Sequence, residues 1–94
     1  MIRIELSGRI QKTAAKLPDE VREKATDAIQ EMARSFGNPH IHAGLGIRKL
    51  ARRSYEIRVH LHWRIVFIHE SDFLNAYDIM THEEVRRWVR NRRT

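Results

Sequence analysis

The spacing of apolar residues along this 94-residue chain changes twice, near Ser7 and near Ile47. Residues 1–6 alternate apolar and charged side chains, and between them and Ile47 the apolar residues recur at intervals of three and four. Alternation at every second residue predicts a strand, whereas the longer interval predicts helices. From Ile47 onward the alternation returns, and it predicts strands over residues 48–59, 63–69 and 73–80.

Two helices are predicted between residues 7 and 37. Ser7 is a suitable N-cap for a first helix over 8–16, because its hydroxyl can accept a hydrogen bond from a free backbone N–H. Pro18 suits the first position of a second helix. The apolar stripe of that helix runs from Val21 to Phe36, and Gly37 is expected to end it.

A third helix is predicted to follow the last strand. Thr81 and Glu84 have the spacing of a capping box, and Val85, Trp88 and Val89 form an apolar stripe behind it. The predicted fold class is therefore α/β (α+β) in the order β-α-α-β-β-β-α, as one domain over 1–94. Short reversals make the last three strands an antiparallel meander, with the N-terminal strand at its margin and the two first helices on one face.

The charge is distributed unevenly along the chain. Residues 1–46 carry seven basic and six acidic side chains, whereas residues 47–94 carry eleven basic and six acidic ones, ten of the basic being arginine. Arginine makes forked contacts to phosphate, so the C-terminal half is predicted to bind a polyanion or an acidic protein. With no cysteine, no long apolar run and no secretory h-region, the sequence favours a cytoplasmic protein without membrane contact.

Cationic and imidazole side chains stand at every second position of the apolar run 54–70, namely Arg58, His60, His62 and Arg64. Alternation is expected to place them on one face of the sheet, where they would form a surface for phosphate. The chain has six histidines, but no third ligand or carboxylate is spaced with any pair of them. No metal and no other cofactor are therefore predicted.

The motifs Arg48-Lys49-Leu50, Tyr55-Glu56-Ile57-Arg58-Val59 and Trp63-Arg64-Ile65-Val66-Phe67 resemble those of the RelE/ParE superfamily of bacterial toxins. The segment 76–84, with Thr81-His82-Glu83 near its end, resembles the close of RelE-like and YoeB-like members. This resemblance implies the toxin of a type II toxin–antitoxin system, a ribosome-dependent endoribonuclease that cuts mRNA through attack by the RNA's own 2′-hydroxyl. The implied partners are a cognate antitoxin, the ribosome and mRNA.

The resemblance also implies roles for individual residues. Arg64 and Arg58 correspond to arginines at the scissile phosphate, and His82 corresponds to a C-terminal histidine with an acid/base role. The expected RNA-binding residues are Arg48, Lys49, Arg52, Arg53, Tyr77, Arg86, Arg87 and Arg90. One departure bears on catalysis, since Glu83 stands where several active members have a tyrosine.

Alternatives remain open for both residues and function. Arg58 or Arg64 could instead form a structural ion pair with Glu56, Glu70 or Asp78. Because Arg64 shares its strand parity with Val66, it is expected at an open strand end of a sheet covered on both faces, or beside a bulge. At the level of function, the alternative is a ParE-like toxin that binds a protein such as DNA gyrase, or an inactive antitoxin-binding relative.

Overall fold

The computed structural model describes residues 1–38 and 46–92. Within these residues the chain forms five strands and three helices. In chain order they are β1 Arg3–Leu6, α1 Gly8–Ala15, α2 Asp19–Ser35, β2 Ile47–Ala51, β3 Ser54–His60, β4 Trp63–His69, β5 Phe73–Thr81 and α3 His82–Arg92. Among the described residues, no helix is long and apolar enough to cross a membrane.

The strands form one sheet in the order β1-β5-β4-β3-β2. Strands β2 to β5 are an antiparallel meander, and β1 lies at the margin parallel to β5. The predicted α+β meander with the N-terminal strand at its edge is thus confirmed. Because β1 is short, it pairs with residues 73–76 of β5 and leaves the following part of that strand to other elements.

The prediction of one strand over 48–59 is wrong, because the chain reverses at residues 52 and 53 and forms the β2–β3 hairpin there. Arg53 adopts a φ of 68°, a left-handed conformation that glycine or asparagine usually supplies. Tertiary contacts hold it there. The backbone N–H of His69 donates to the Arg53 carbonyl at 2.7 Å, and Arg53 Nε donates to the His69 carbonyl at 2.8 Å.

Both faces of the sheet are covered. Helices α1 and α2 pack on one face over a core that includes Met32, Ile57, Ile65 and Phe67. On the other face α3 packs over a smaller cluster formed by Val66, Met80 and Val85. Successive side chains of β4 point to opposite faces, so the face under α3 is the one that Val66 shares with Arg64 near the start of the strand.

The predicted helix ends are largely confirmed. Ser7 Oγ accepts a hydrogen bond from the Ile10 N–H at 3.0 Å, as an N-cap should. Thr81 and Glu84 form a reciprocal capping box, with the Glu84 N–H donating to Thr81 Oγ1 at 3.2 Å and the Thr81 N–H donating to Glu84 Oε1 at 2.8 Å. One detail is wrong, since Pro18 occupies the N-cap of α2 and Asp19 is its first residue.

We expect Thr81→Ala to lower the free energy of unfolding by about 1 kcal/mol, because it removes one of the two capping-box hydrogen bonds at the start of α3. Thr26→Ala is the matched control. Thr26 lies exposed inside α2, where its hydroxyl donates only to the Arg22 carbonyl, and alanine is the better helix former. Urea unfolding of both variants measures the difference, and equal stabilities would contradict the cap.

Candidate functional site

A cleft of ≈ 480 Å³ opens on the sheet face that α3 partly covers. Its walls come from the start of β2, from β3, from the start of β4 and from the first residue of α3. The lining residues are Gly46, Ile47, Arg48, Glu56, Arg58, Arg64 and His82. The cleft therefore brings together the three residues predicted to be catalytic and one of those predicted to bind RNA.

Glu56 lies at the base of this cleft and is 2% exposed. Its Oε2 accepts a hydrogen bond from Arg48 Nε at 2.8 Å. Its Oε1 is buried, has no hydrogen-bond partner among the described residues, and lies 3.8 Å from Arg64 Nε. A buried carboxylate is stabilised by adjacent cations, so Glu56 and the two arginines fix each other's positions.

Arg64 is held from two sides. Its Nη1 donates to the backbone carbonyls of Leu61 and Trp63, each at 3.3 Å, and its Nε faces Glu56. Within residues 1–38 and 46–92, its Nη2 makes no hydrogen bond. The structural ion pair and the functional role are thus compatible, because one edge of the guanidinium is anchored while the other stays available to a phosphate in the cleft.

Arg58 lies directly opposite Arg64 in the β3–β4 register. Like charges in opposite positions of neighbouring strands destabilise a sheet. Among the described residues, Arg58 forms no ion pair, and its side chain is exposed at the cleft. Glu56 offsets part of this repulsion, and the remaining positive charge creates a site for an anion between the two strands. Gly46 has a φ of 75°, and a Cβ built on it would lie 3.6 Å from Arg58 Cβ, so the backbone of this lining residue runs close to the Arg58 side chain.

His82 is the first residue of α3, as predicted, and its side chain is exposed at the cleft. The backbone there is fixed by the capping box and by a hydrogen bond from the His82 N–H to the His62 carbonyl at 3.1 Å. A helix N-terminus attracts phosphate through its free N–H groups and its dipole. His82 therefore places an imidazole beside an anion site that two arginines also face.

A wider groove of ≈ 590 Å³ adjoins the cleft between β2 and α3. It shares Arg48 and His82 with the cleft, and its further lining residues are Lys49, Leu50, Val85, Arg86, Val89 and Arg90. The floor is apolar and the rims are cationic. This combination suits an elongated anionic partner, either a nucleic acid or an acidic polypeptide with apolar side chains.

Four of the predicted RNA-binding residues lie outside both cavities. Arg52 is exposed at the β2–β3 turn, whereas Arg53 secures that turn and also pairs with Glu70 at 3.4 Å. Arg87 is exposed on α3 but does not line the groove. Tyr77 is half-buried on β5, with its ring centre 5.5 Å from that of Trp88.

The prediction that four alternating side chains share one face is wrong. A register shift between Arg58 and His60 interrupts the alternation at the end of β3. His60 Nε2 consequently lies 3.9 Å from Glu20 at the start of α2, and the His62 ring packs 5.2 Å from the Trp63 ring. Only the two arginines of this set reach the cleft.

No group of three histidine, aspartate or glutamate side chains suited to holding a metal ion occurs within the described part of the chain. His40 and His42 lie outside the described residues. The donor set of the cleft is one carboxylate already paired with arginine and one imidazole, and cations surround both. Such a set favours binding of an anion over binding of a metal ion.

Comparison with known proteins supports the family resemblance. The family model for the ParE-like toxin domain matches residues 19–86, which include β2 to β5 and the start of α3. The chain belongs to this family. The match confirms the sequence-based assignment to the RelE/ParE superfamily of toxins. No curated protein sequence matches this ParE-like toxin.

Solved structures show the same fold at low sequence identity. RelE in the RelB–RelE antitoxin–toxin complex from Methanococcus jannaschii has a TM-score of 0.67 and 18% identity, covering 88% of this chain and 95% of that one. The YoeB/ParE toxin from Agrobacterium tumefaciens has a TM-score of 0.65 and 18% identity, with coverages of 86% and 99%. YafQ in the Escherichia coli DinJ–YafQ toxin–antitoxin complex has a TM-score of 0.58 and 18% identity, with coverages of 89% and 97%.

From the sequence of this ParE-like toxin, Glu56 is expected only as an ion-pair partner of the arginines. The structure places it in the cleft, in contact with both Arg48 and Arg64. One signal was present in the sequence, since Glu56 and Arg58 have the same parity on β3 and face the same side. The ion pair between Arg48 and Glu56 could not be predicted, because it depends on the β2–β3 hairpin.

Proposed function

We propose that this ParE-like toxin is a metal-independent endoribonuclease that cuts mRNA on the ribosome. The observation that carries the proposal is the cleft that Arg58, Arg64 and His82 line together, with the buried Glu56 beside them. Two guanidinium groups match the oxygens of a phosphodiester, and a histidine beside them can transfer a proton. Attack by the RNA's own 2′-hydroxyl needs these groups and no cofactor.

In the proposed reaction the 2′ oxygen bonds to phosphorus and the bond from phosphorus to the 5′ oxygen breaks. Negative charge grows on the non-bridging phosphate oxygens during this step. Arg64, anchored by Glu56 and by two carbonyls, is preorganised to stabilise that charge, and Arg58 does so from the opposite strand. Preorganisation matters because side chains that are already fixed need not rearrange as the charge develops.

Proton transfer falls to His82 in this proposal. As an imidazolium it gives a proton to the departing 5′ oxygen, while the 2′ proton passes to water in the open cleft. Its position at the first turn of α3 keeps the imidazole beside the phosphate. Glu56 acts through Arg64 and Arg48, as a positioning residue at the base of the site.

The proposed partners follow from the same surfaces. The groove between β2 and α3, with its apolar floor and basic rims, has the character needed to hold an antitoxin segment or RNA next to the cleft. Structures of relatives with the same fold are named as antitoxin–toxin complexes, which supports an antitoxin as a partner here. An antitoxin in this groove would block access to His82 and Arg48.

The proposal is tested by primer extension on a message in a reconstituted translation reaction with the purified toxin. We expect new RNA ends inside the translated region when ribosomes are present, and few or none on naked message. The matched inactive control is Arg64→Ala. An uncut message in the presence of active ribosomes would contradict the proposal.

A second candidate function has one observation in its favour. Where several active relatives have a tyrosine, this chain has Glu83, whose carboxylate lies exposed and pairs with Arg86 at 3.6 Å. A carboxylate cannot stack or donate as a phenol does. The chain could then act as a ParE-like toxin on a protein such as DNA gyrase. In the primer-extension experiment, toxicity without any cut message would favour this second function.

A further inference from the structure

A second cationic surface lies on α1, away from the cleft. Arg9, Lys12 and Lys16 are exposed at intervals of three and four, and they therefore form one stripe along the helix. No ion pair involves any of the three within residues 1–38 and 46–92. By contrast, on α2 both Arg22 and Arg34 pair with carboxylates of their own helix. The α1 stripe thus carries positive charge that no neighbouring carboxylate neutralises.

Two aromatic side chains, Tyr77 and Trp88, lie between this stripe and the end of α3. The guanidinium carbon of Arg9 lies 5.3 Å from the Tyr77 ring centre, and the Tyr77 ring lies 5.5 Å from that of Trp88. The guanidinium of Arg92 covers the other end, with its carbon 4.5 Å from the Trp88 ring centre. Two half-buried aromatic rings are therefore flanked by two arginines whose side chains are exposed.

The arrangement is fixed by hydrogen bonds from Ser7 and Thr13 to β5 at and just beyond the end of its pairing with β1. The Ser7 N–H donates to the Ala76 carbonyl at 3.1 Å, and Ser7 Oγ donates to the Tyr77 carbonyl at 2.6 Å. Thr13 Oγ1 donates to Asp78 Oδ1 at 2.6 Å. Asp78 also accepts from the Ile79 N–H at 2.8 Å, so neutral donors satisfy this carboxylate and the α1 cations stay unpaired.

We propose that α1 and the end of α3 form a second RNA-binding surface, which holds a single-stranded segment on the side of α3 opposite the groove. Lys12 and Lys16 contact phosphates, and bases stack on the exposed guanidinium groups of Arg9 and Arg92, which lie over the Tyr77 and Trp88 rings. The aromatic rings favour RNA over an acidic polypeptide, which needs cations but not stacking surfaces. The inference rests on the proposed function in taking RNA as the ligand.

The test measures binding of a fluorescent 2′-O-methyl RNA oligonucleotide, which cannot be cut by 2′ attack, by anisotropy over a series of KCl concentrations. The double variant Lys12→Gln/Lys16→Gln should lower the slope of log affinity against log salt by roughly 0.7 for each phosphate that the variant no longer neutralises. The matched control Arg3→Gln/Arg34→Gln removes the same charge from residues that pair with Glu5, Asp72 and Glu31. Its slope should equal that of the wild type.

The aromatic part of the surface is tested separately. Tyr77→Leu should weaken binding of the same RNA by roughly tenfold without changing the salt slope, because the ring that orients the Arg9 guanidinium for stacking is removed while the charge is kept. Equal slopes for the α1 double variant and its control would overturn the proposal. A second result would also overturn the proposal: if the α1 double variant lost affinity for labelled poly-glutamate but kept its affinity for RNA, the surface would fit an acidic protein instead.

Failure of this inference differs from failure of the proposed function. If the toxin cuts no RNA, the 2′-O-methyl probe still reports binding, and the two double variants can still be compared. If instead the surface does not bind RNA, cleavage by the wild type persists and the salt slopes coincide. The Arg64→Ala variant, altered only in the cleft, should keep the contribution of the α1 stripe to the slope.

Discussion

Replacing Arg64 by alanine should lower the rate of mRNA cleavage by a factor of about 10²–10³, which corresponds to roughly 3–4 kcal/mol at the transition state. The reason is that contacts within the protein hold the Arg64 guanidinium in position before the phosphate develops its additional charge. Glu56 and the carbonyls of Leu61 and Trp63 hold it in place, and the side chain lines the cleft. The measurement is the single-turnover rate constant for cleavage on saturating ribosomes.

Two further variants separate catalysis from folding. Arg64→Ala also leaves the buried Glu56 with Arg48 as its one remaining cation in the described site, so some loss of stability is expected with it. Arg64→Lys keeps a cation beside Glu56 and should fold normally. Because lysine lacks the forked donors of the guanidinium, this variant should nevertheless cleave mRNA more slowly than the wild type. Arg87→Ala removes an exposed arginine outside both cavities and should cut at the normal rate. Full activity in Arg64→Lys would contradict the role of the guanidinium.

The second large effect is expected at His82. His82→Gln should lower the cleavage rate by about 10²-fold or more, because glutamine keeps the size and polarity of the side chain but cannot transfer a proton. Since the side chain is exposed and the start of α3 is held by the Thr81–Glu84 capping box, the fold should be unaffected.

Glu83→Gln is the matched control for His82. Glu83 is the next residue on α3 and is exposed, and its one ion pair within residues 1–38 and 46–92 is with Arg86 on the same helix turn. Exposed ion pairs of this kind contribute little to stability, so both folding and cleavage should be nearly unchanged. If His82→Gln cuts at the wild-type rate while Arg64→Lys does not, proton transfer belongs to another group.

Most of the fold could be predicted because local signals and tertiary packing agree. The stripe from Val21 to Phe36 and the capping box at Thr81 each specify their element without reference to the rest of the chain. The β2–β3 hairpin could not be predicted. Its turn contains Arg53 in a left-handed conformation, and the contacts that stabilise it come from His69, which follows in the next strand.

Three residues of the site could also be predicted from the sequence, through the resemblance to the family. The resemblance identified Arg58, Arg64 and His82, and the structure brings all three to one cleft. The bulge at the end of β3 directs His60 away from that cleft, and a bulge has no reliable sequence signal here. The position of Glu56 in the site depends on its ion pair with Arg48, which lies on the neighbouring strand β2.

The α1 stripe shows the limit of counting charge along a sequence. Residues 1–46 have almost balanced charges, and on that basis the sequence analysis assigned polyanion binding to the C-terminal half. In the folded chain the α2 cations Arg22 and Arg34 pair with acidic residues of their own helix, whereas those of α1 do not. Local pairing, which depends on helix spacing, decides how much of the charge is available to a partner.

In the proposed reaction the RNA's own 2′-hydroxyl performs the attack, in the cleft that Arg64, Arg58 and His82 line. Mass spectrometry of the upstream cleavage fragment tests it most directly, because attack by the 2′ oxygen fixes the chemistry of the new end. We predict a 2′,3′-cyclic phosphate formed in the presence of ribosomes, and no cut at a nucleotide carrying 2′-deoxyribose. A fragment ending in a 3′-hydroxyl, or cleavage that persists at the 2′-deoxy nucleotide, would contradict the account.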